Sequence, residues 1–210
     1  MFNKFRDWIK KGKTDDQSHY WVFGIMLVAG IAALVAAFTL TTEKFHLYED
    51  PNAILNCSIN LVLNCTQVMQ TWQASVFGFP NMLIGLIAFP VVITVALAGL
   101  ARVKFPRWWL ILANVGFFLG AVFSYWLFFN SVYDIQVLCP WCLIVTASTT
   151  LIFSSMLHFN LRENTFKLSE KTNARVQRFL KGGYHQMIVL SWLALMVVLV
   201  FLKFGEGLFA

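Results

Sequence analysis

The sequence predicts an all-α integral membrane protein built from five transmembrane helices, and three observations support this fold class. Of the 210 residues, 59% are hydrophobic and only 12% are charged, whereas soluble domains carry roughly 25% charged residues. The apolar residues fall into blocks of about 20 without a central charge, which is the length needed to cross a bilayer. The cations lie almost entirely outside these blocks. One helical bundle in a membrane is therefore expected.

Each of the five blocks is long enough for one spanning helix. They cover about residues 21–40, 82–100, 108–129, 143–159 and 187–204. The first block is too long for the h-region of a cleavable signal, so we expect it to be retained as an anchor. The third block contains Gly116 and Gly120 in a G-x-x-x-G pattern, which predicts a close helix approach.

The distribution of charge predicts the orientation of the bundle. Fourteen of the sixteen cations precede block one or follow blocks two and four, which places those segments in the cytoplasm. The links 41–79 and 130–138 contain only Lys44 among cations, so they face outward. The expected order is a cytoplasmic segment 1–20, a four-helix domain 21–159 with an outer loop at about 41–79, a basic cytoplasmic link 160–184, a fifth helix 185–204 and an outer tail 205–210.

Cys139 and Cys142 form a C-x-x-C sequence where the fourth block begins. Residues three apart on a helix share one face, so their side chains can form a disulfide. Pro140 suits the first helical turn, which places Cys139 at the N-cap, where the helix dipole stabilises a thiolate. Cys142 lies about 4.5 Å further along the helix axis, nearer to a lipid-soluble oxidant. Two alternatives remain for this pair. Zinc sites use the same C-x-x-C spacing, and a buried cysteine is often an inert, small apolar residue.

Cys57 and Cys65 lie in the long outer loop, on the predicted side of the C-x-x-C pair. On a straight helix they would be about 12 Å apart, and a disulfide needs Cα atoms within about 7 Å. Pairing therefore requires a bend or a flexible segment, and we expect an exposed, mobile pair. Two alternatives remain open, a permanent structural disulfide and a zinc site formed by the four thiolates.

The order of the two pairs resembles that of the vitamin K epoxide reductase family, and specifically of its bacterial members. DsbB oxidases place the two pairs in the reverse order. The resemblance covers roughly residues 21–159 and includes the stretches 64–72 and 77–81, Asn-Cys-Thr to Thr-Trp and Phe-Gly-Phe-Pro-Asn. These stretches are similar to the half-helix of the family and its entry into the second span. The resemblance thus implies a four-helix redox bundle, here with a fifth helix.

The resemblance also implies a role for each site residue. Cys57 exchanges with a substrate protein, Cys65 passes electrons to Cys139, and Cys142 faces a quinone. Thr71 assists the relay with its hydroxyl group, and Asn81 donates a hydrogen bond to a quinone carbonyl. Trp141, which lies between the two cysteines of the C-x-x-C pair, is a further candidate for the quinone site.

The implied activity is that of a quinone-dependent thiol oxidoreductase in a bacterial inner membrane. Vertebrate members carry a tyrosine where this chain has Thr146, so a respiratory quinone, ubiquinone or menaquinone, is expected in place of an epoxide. The electron donor is a thioredoxin-fold, DsbA-like protein supplied in trans. No metal and no nucleic-acid partner are expected, because the basic stretches lack interleaved aromatic residues. The alternative function is a non-enzymatic five-helix assembly or transport subunit with a structural disulfide.

Overall fold

A computed structural model describes residues 2–51, 53–55, 57–58 and 60–208, with the side chains of those that lie between residues 18 and 205. Its helices are α1 Phe2–Glu49, α2 Cys65–Gln70, α3 Met82–Leu100, α4 Arg107–Asn130, α5 Pro140–Arg162, α6 Glu170–Lys181 and α7 Tyr184–Leu208. Five helical segments are long and apolar enough to cross a membrane: Ser18–Glu49, Met82–Leu100, Arg107–Ile135, Pro140–Arg162 and Tyr184–Gly205. The predicted all-α membrane fold and its five spans are confirmed.

Helix α1 is longer than its apolar block in both directions. It begins at Phe2 and continues to Glu49, so residues 41–49, which the sequence assigns to the loop, are helical. Residues 41–50 contain no glycine or proline, so nothing stops the helix at the end of the apolar block. The hydroxyl group of Thr41 donates to Ala37 O, one turn earlier, over 2.7 Å. Pro51, which cannot continue a helix, stands two residues beyond its end. The side chains of the predicted N-terminal cations, on residues 4–13, lie outside the described part of the chain.

The core of the bundle is formed by α1 against α3 and α5. Ala29, Ala33 and Ala37 are buried along one face of α1, and their small side chains let the neighbouring helices approach closely. Phe23 and Met26 fill the end of this face. Helix α4 packs against α5, which completes a four-helix bundle of α1, α3, α4 and α5.

Helix α5 buries six serine and threonine side chains. Thr149 and Thr150 both donate to Thr146 O, over 3.0 and 2.8 Å. Their oxygens also meet side chains of α4, since Ser124 Oγ lies 2.8 Å from Thr149 Oγ1 and Tyr125 OH lies 2.6 Å from Thr150 Oγ1. The hydroxyl groups of Thr149 and Thr150 are thus both paired within the bundle, as a low-dielectric interior requires.

The link between α5 and α7 contains a helix that the hydropathy pattern does not predict. Helix α6 begins after Ser169, carries Glu170 in its first turn, and has Arg178 and Lys181 in its last turn. These charges match the helix dipole at both ends. Helix α7 continues to Leu208, so most of the predicted outer tail is helical, and residues 209–210 lie outside the described part.

The close helix contacts occur at glycines other than those of the G-x-x-x-G pattern. A Cβ atom on Gly116 or Gly120 would meet nothing within 4 Å, so the prediction of a close approach there is wrong. Gly120 instead faces a cavity. The two tightest positions in the bundle are Gly85, near Phe89 and Ala37, and Gly99, near the ring of Phe23. Both of these glycines lie on α3, which packs on α1.

Replacing Gly99 by alanine is expected to destabilise the bundle. The new methyl group would overlap the ring of Phe23, and overpacking of this kind costs about 1–3 kcal/mol. Thermal unfolding in detergent, followed by circular dichroism, would measure the change. Gly116→Ala is the matched control, since it adds the same methyl group at an open helical position. Equal unfolding temperatures for the two variants would contradict the packing described for α1 and α3.

Candidate redox site

Cys57 and Cys65 form a disulfide, with their Cα atoms 5.6 Å apart. The short distance is possible because the chain between them turns back before α2 begins at Cys65. Asn64 is the N-cap of α2 and its side chain accepts from Gln67 N over 3.0 Å. Ser58 Oγ donates to the same Asn64 oxygen over 3.1 Å. The side chains near the disulfide therefore fix the bend that the sequence spacing requires.

The loop pair is buried, which contradicts the prediction of an exposed pair. Cys57 is 6% exposed and Cys65 is 0% exposed. Both belong to a cluster that includes Leu40 and Leu47 of α1 and Met69 of α2. The extension of α1 toward Glu49 supplies part of this cover, and Lys44 Nζ donates to Met69 O over 2.8 Å at the end of α2. The loop thus folds onto the end of α1.

A short backbone bridge connects the loop with the segment before α5. Leu138 N donates to Val62 O over 2.7 Å, and Asn64 N donates to Leu138 O over 3.0 Å. The bridge pairs Leu63 with Leu138 in parallel, so the cysteines that follow on the two segments become neighbours. The Sγ atoms of Cys65 and Cys139 lie 3.4 Å apart. The two cysteine pairs are thus in direct contact.

Cys139 is the N-cap of α5, as the sequence predicts, and Pro140 follows in the first turn. Its sulfur accepts a hydrogen bond from Cys142 N over 3.4 Å. The pKa of the Cys139 thiol is lowered, first because the Cys142 side chain hydrogen-bonds to it and also because the backbone N–H groups of Cys142 and Trp141 do so; burial opposes this shift. Donors that point at a sulfur stabilise its thiolate form.

An apolar cavity of about 200 Å³ adjoins the C-x-x-C pair. All four helices of the bundle and α2 contribute to its walls. Both Cys139 and Cys142 line it, on the wall formed by α5. The remaining walls are largely aliphatic and aromatic, with a few amide and hydroxyl groups: Thr71, Gln73, Asn81, Ser124, Ser131, Thr146 and Thr149. A cavity of this composition suits an apolar ligand with a few polar atoms.

Asn81 is the cavity residue with the most distinctive hydrogen bonding. Its Nδ2 donates to Gln73 O over 2.6 Å, which fixes the orientation of the amide because a flipped amide would set two oxygens against each other. Its Oδ1 is buried and has no hydrogen-bond partner. A buried acceptor without a donor is costly, so this oxygen is available to a ligand in the cavity.

The other predicted site residues are placed differently from one another. Thr71 lines the cavity, and its hydroxyl group donates to Val68 O over 2.8 Å at the end of α2. Thr146 lines the cavity and donates to Cys142 O over 3.0 Å. Trp141 does not line the cavity, because its half-buried ring packs against the cluster around the loop disulfide. Thr71 and Thr146 thus line the cavity, whereas Trp141 packs beside the loop disulfide.

Gln73 is a site residue that the sequence interpretation missed. It is buried in the short 3₁₀ turn Trp72–Ser75, its carbonyl oxygen holds Asn81, and its Nε2 donates to Asp134 Oδ2 over 2.7 Å. Asp134 lies in the π turn Ser131–Ile135 that ends α4. The sequence signal for Gln73 is only that a polar residue stands between the half-helix and Asn81. Its partner Asp134 lies 61 residues further along the chain, and no local pattern predicts that contact.

The four cysteines do not form one metal site. Two of them are joined in the disulfide, and the other two are free thiols. In the described part of the chain, no three histidine, cysteine or acidic side chains are grouped as ligands of a metal ion. The arrangement can instead carry thiol–disulfide exchange, because a thiol of one pair touches a disulfide sulfur of the other.

Comparison with known proteins supports this chemistry. No curated protein sequence matches the chain. Residues 24–157 match the sequence profile of the vitamin K epoxide reductase family, and this stretch includes all four cysteines, the cavity and the four-helix bundle. Members of this family are membrane thiol oxidoreductases that use quinone-type electron carriers. The chain therefore belongs to the vitamin K epoxide reductase family and is a multi-pass membrane oxidoreductase.

Proposed function

We propose that the protein oxidises a thioredoxin-fold protein and reduces a membrane quinone, which supports disulfide formation in the cell envelope. The observation that carries this proposal is the continuous row of sulfur atoms from Cys57 to Cys142. Cys57 is bonded to Cys65, Cys65 touches Cys139, and Cys142 opens onto the cavity. Electrons can pass along this row by successive thiol–disulfide exchange.

The proposed relay begins at the loop pair. A thiolate of the reduced partner attacks Cys57, which breaks the Cys57–Cys65 bond and forms a mixed disulfide. The second partner thiol then displaces Cys57, so the partner leaves oxidised and the loop pair carries two thiols. Cys57 is the less buried member of the pair, and Cys65 has its sulfur against the inner pair. This difference supports the assignment of Cys57 to the partner and of Cys65 to Cys139.

The inner pair completes the transfer. With Cys139 and Cys142 joined in a disulfide, the Cys65 thiolate attacks Cys139 and releases Cys142, and Cys57 then attacks Cys65 to restore the loop disulfide. The inner pair is now reduced and the loop pair is oxidised. Two electrons and two protons pass from the inner thiols to the quinone, which leaves as quinol and re-forms the Cys139–Cys142 disulfide.

The cavity is proposed to hold the quinone ring. Its volume of about 200 Å³ is below the roughly 300–1,000 Å³ of sites for drug-sized ligands, which suits a single ring with its tail in the surrounding lipid. Asn81 Oδ1 can accept a hydrogen bond from a quinol hydroxyl group, and the second N–H of its amide can donate to a quinone carbonyl. Thr71 and Thr146 add hydroxyl groups to the same walls. Trp141 is not included in this proposal.

The proposed location is the bacterial plasma membrane, with the cysteines on the outer side. The cysteine end of the bundle holds residues 60–81 and 131–142, and the opposite end holds the basic link with α6. The cations of that link, with those of the turn between α3 and α4, favour the cytoplasmic side. Thiol exchange at the outer face fits an oxidising compartment.

The relay can be tested by giving the purified protein two electron donors, a reduced thioredoxin-fold protein and dithiothreitol, and by following quinol formation. Cys139→Ala and Cys142→Ala are expected to fall to background with both donors, because no other thiol faces the cavity. Cys57→Ser and Cys65→Ser are expected to lose only the activity with the protein donor, since a small dithiol can reduce the inner pair directly. Full activity of Cys142→Ala with either donor would contradict the relay.

The same assay separates this function from the structural alternative. A purely structural loop disulfide predicts no quinol formation with any donor and a loss of stability in Cys57→Ser. A protein donor that keeps only its attacking cysteine should form a mixed disulfide, which peptide mass analysis can locate. An adduct on Cys139 instead of Cys57 would reverse the proposed order of the pairs.

Replacing Asn81 by alanine is expected to weaken quinone binding. Loss of one buried hydrogen bond corresponds to about a five- to tenfold higher KM for the quinone, whereas KM for the protein donor should not change. Steady-state turnover at varied quinone concentration would measure both constants. Asn130→Ala is the matched control, because Asn130 also donates its amide to a backbone oxygen, over 2.7 Å to Trp126, but lies outside the cavity lining. An equal change in both variants would argue against the Asn81 contact.

The lowered pKa of Cys139 gives a pH-dependent signal. In a Cys57→Ser/Cys65→Ser background, the thiolate absorbance of the reduced protein should appear below the value of about 8.5 typical of a free cysteine. Cys142→Ala should raise this midpoint, because the side-chain donor that stabilises the Cys139 thiolate is lost. Cys142→Ser retains a hydroxyl donor and should leave the midpoint low. The same midpoint in the alanine and serine variants would show that the side-chain hydrogen bond is not responsible.

A further inference from the structure

Helix α7 lies outside the matched family region, which ends at residue 157, and it makes few contacts with the bundle. Most of its side chains face away from the protein, as Leu190 and Leu202 do with 65% and 80% of their surface exposed. Among residues 184–205, whose side chains are described, only Met196 and Phe204 are buried. Met196 and Phe204 are therefore the residues through which α7 packs on the rest of the protein.

Met196 and Phe204 belong to the same buried cluster. The other buried members are Phe128 of α4, Val132 of the π turn, and Leu138. Val62 and Leu63 pack against this cluster from the loop. Leu138, Val62 and Leu63 are the residues of the backbone bridge that sets Cys65 beside Cys139. The buried face of α7 is thus part of the support of the bridge.

We propose that α7 is a positioning element for electron transfer between the two cysteine pairs, with Phe204 as its principal positioning residue. This inference rests on the proposed relay. Phe204 stabilises the bridge of Leu63 and Leu138 through the shared cluster, and the bridge holds the Cys65 and Cys139 sulfur atoms 3.4 Å apart. Phe204 touches neither sulfur nor quinone in this role, and it acts through the backbone on which both cysteines sit.

Polar contacts fix the height of α7 along the bundle. His185 Nε2 lies 3.1 Å from Ser154 O, and Trp192 Nε1 donates to Tyr125 OH over 2.7 Å. Tyr125 OH in turn lies 2.6 Å from Thr150 Oγ1. Hydrogen bonds between helices are directional, whereas apolar packing in lipid tolerates sliding. They therefore set the register in which Phe204, about 18 Å beyond Trp192, reaches the level of the bridge.

Exchange between the pairs is expected to depend strongly on this support. The attacking sulfur must approach the disulfide closely and in line, and a misplacement of about 1 Å can reduce a positioned reaction by about 100-fold. The bridge contains few hydrogen bonds and lies at the end of the bundle, so it has little stability of its own. Packing from α7 supplies the stability that the two short backbone segments of the bridge lack.

The distance between the sulfurs can be tested without quinone or partner. In a Cys57→Ser/Cys142→Ser variant, only Cys65 and Cys139 remain, and oxidised glutathione converts their two thiols to a disulfide while two molecules of reduced glutathione are released. The equilibrium constant of this reaction has the units of a concentration. It gives the effective concentration of the Cys65 thiol at the Cys139 thiol. Phe204→Ala in this background should lower it about tenfold, which corresponds to about 30 mV for a two-electron couple.

Two further variants make the measurement specific. Leu202→Ala removes an aliphatic side chain from the exposed face of the same helix and should leave the effective concentration unchanged. Phe204→Leu retains part of the packing and should give an intermediate value, and it replaces Phe204→Ala if the alanine variant does not fold. An effective concentration in the Phe204 variants equal to that of Leu202→Ala would overturn the proposal.

Turnover separates this inference from the proposed function. With all four cysteines present, Phe204→Ala should reduce the kcat with the protein donor about tenfold, whereas quinol formation with dithiothreitol and KM for the quinone should remain at the wild-type values. A general loss of structure would lower both activities, which would count against a positioning role. If the wild-type protein forms no quinol with either donor, the proposed function fails, and the glutathione measurement still decides whether α7 sets the sulfur distance.

Discussion

The contact between Cys65 and Cys139 depends on one small element, the backbone bridge between Leu63 and Leu138. Two hydrogen bonds bring a loop segment and a helix N-terminus together, and the cysteines that follow them come within 3.4 Å. Cys65 is also the first residue of α2, and Cys139 is the N-cap of α5. Each sulfur is therefore fixed by a helix end and by the bridge, so exchange between them needs no large movement. The movement that the proposed relay needs is at Cys57, which is buried and must become accessible to a partner.

The cavity and the cysteines use the low dielectric of the bundle in different ways. The walls are mainly apolar, which favours a lipid-soluble ring, and the few polar atoms are nearly all paired with neighbouring backbone. Asn81 Oδ1 is an exception, and its position is set by a chain of contacts through Gln73 to Asp134. An acceptor that is held in place before a ligand arrives costs less to organise at the moment of binding. In the proposed quinone site, the polar groups thus select orientation and the apolar walls supply most of the affinity.

The features that the sequence predicts correctly are those with a local pattern. The spans follow from hydropathy, and the N-cap position of Cys139 follows from Pro140 and the start of an apolar block. The burial of Cys57 and Cys65 has no such pattern, because it arises when the extended end of α1 and helix α2 pack together. The partner of Gln73 and the bridge to Leu138 join residues 61 and 75 positions apart. Contacts of that range depend on how the helices pack, and a single sequence does not encode them in any local signal.

The electrostatics of the inner pair give the proposed relay a direction. The hydrogen bonds to Cys139 stabilise its thiolate, and this form exists only when the inner pair is reduced. Stabilising the reduced form makes a dithiol pair more oxidising, so electrons on the loop pair are drawn toward the cavity. A stabilised thiolate is also a better leaving group, which favours the release of Cys139 when Cys57 attacks Cys65. Proximity alone would permit transfer in both directions, and the donors around Cys139 favour the one that leads to the quinone.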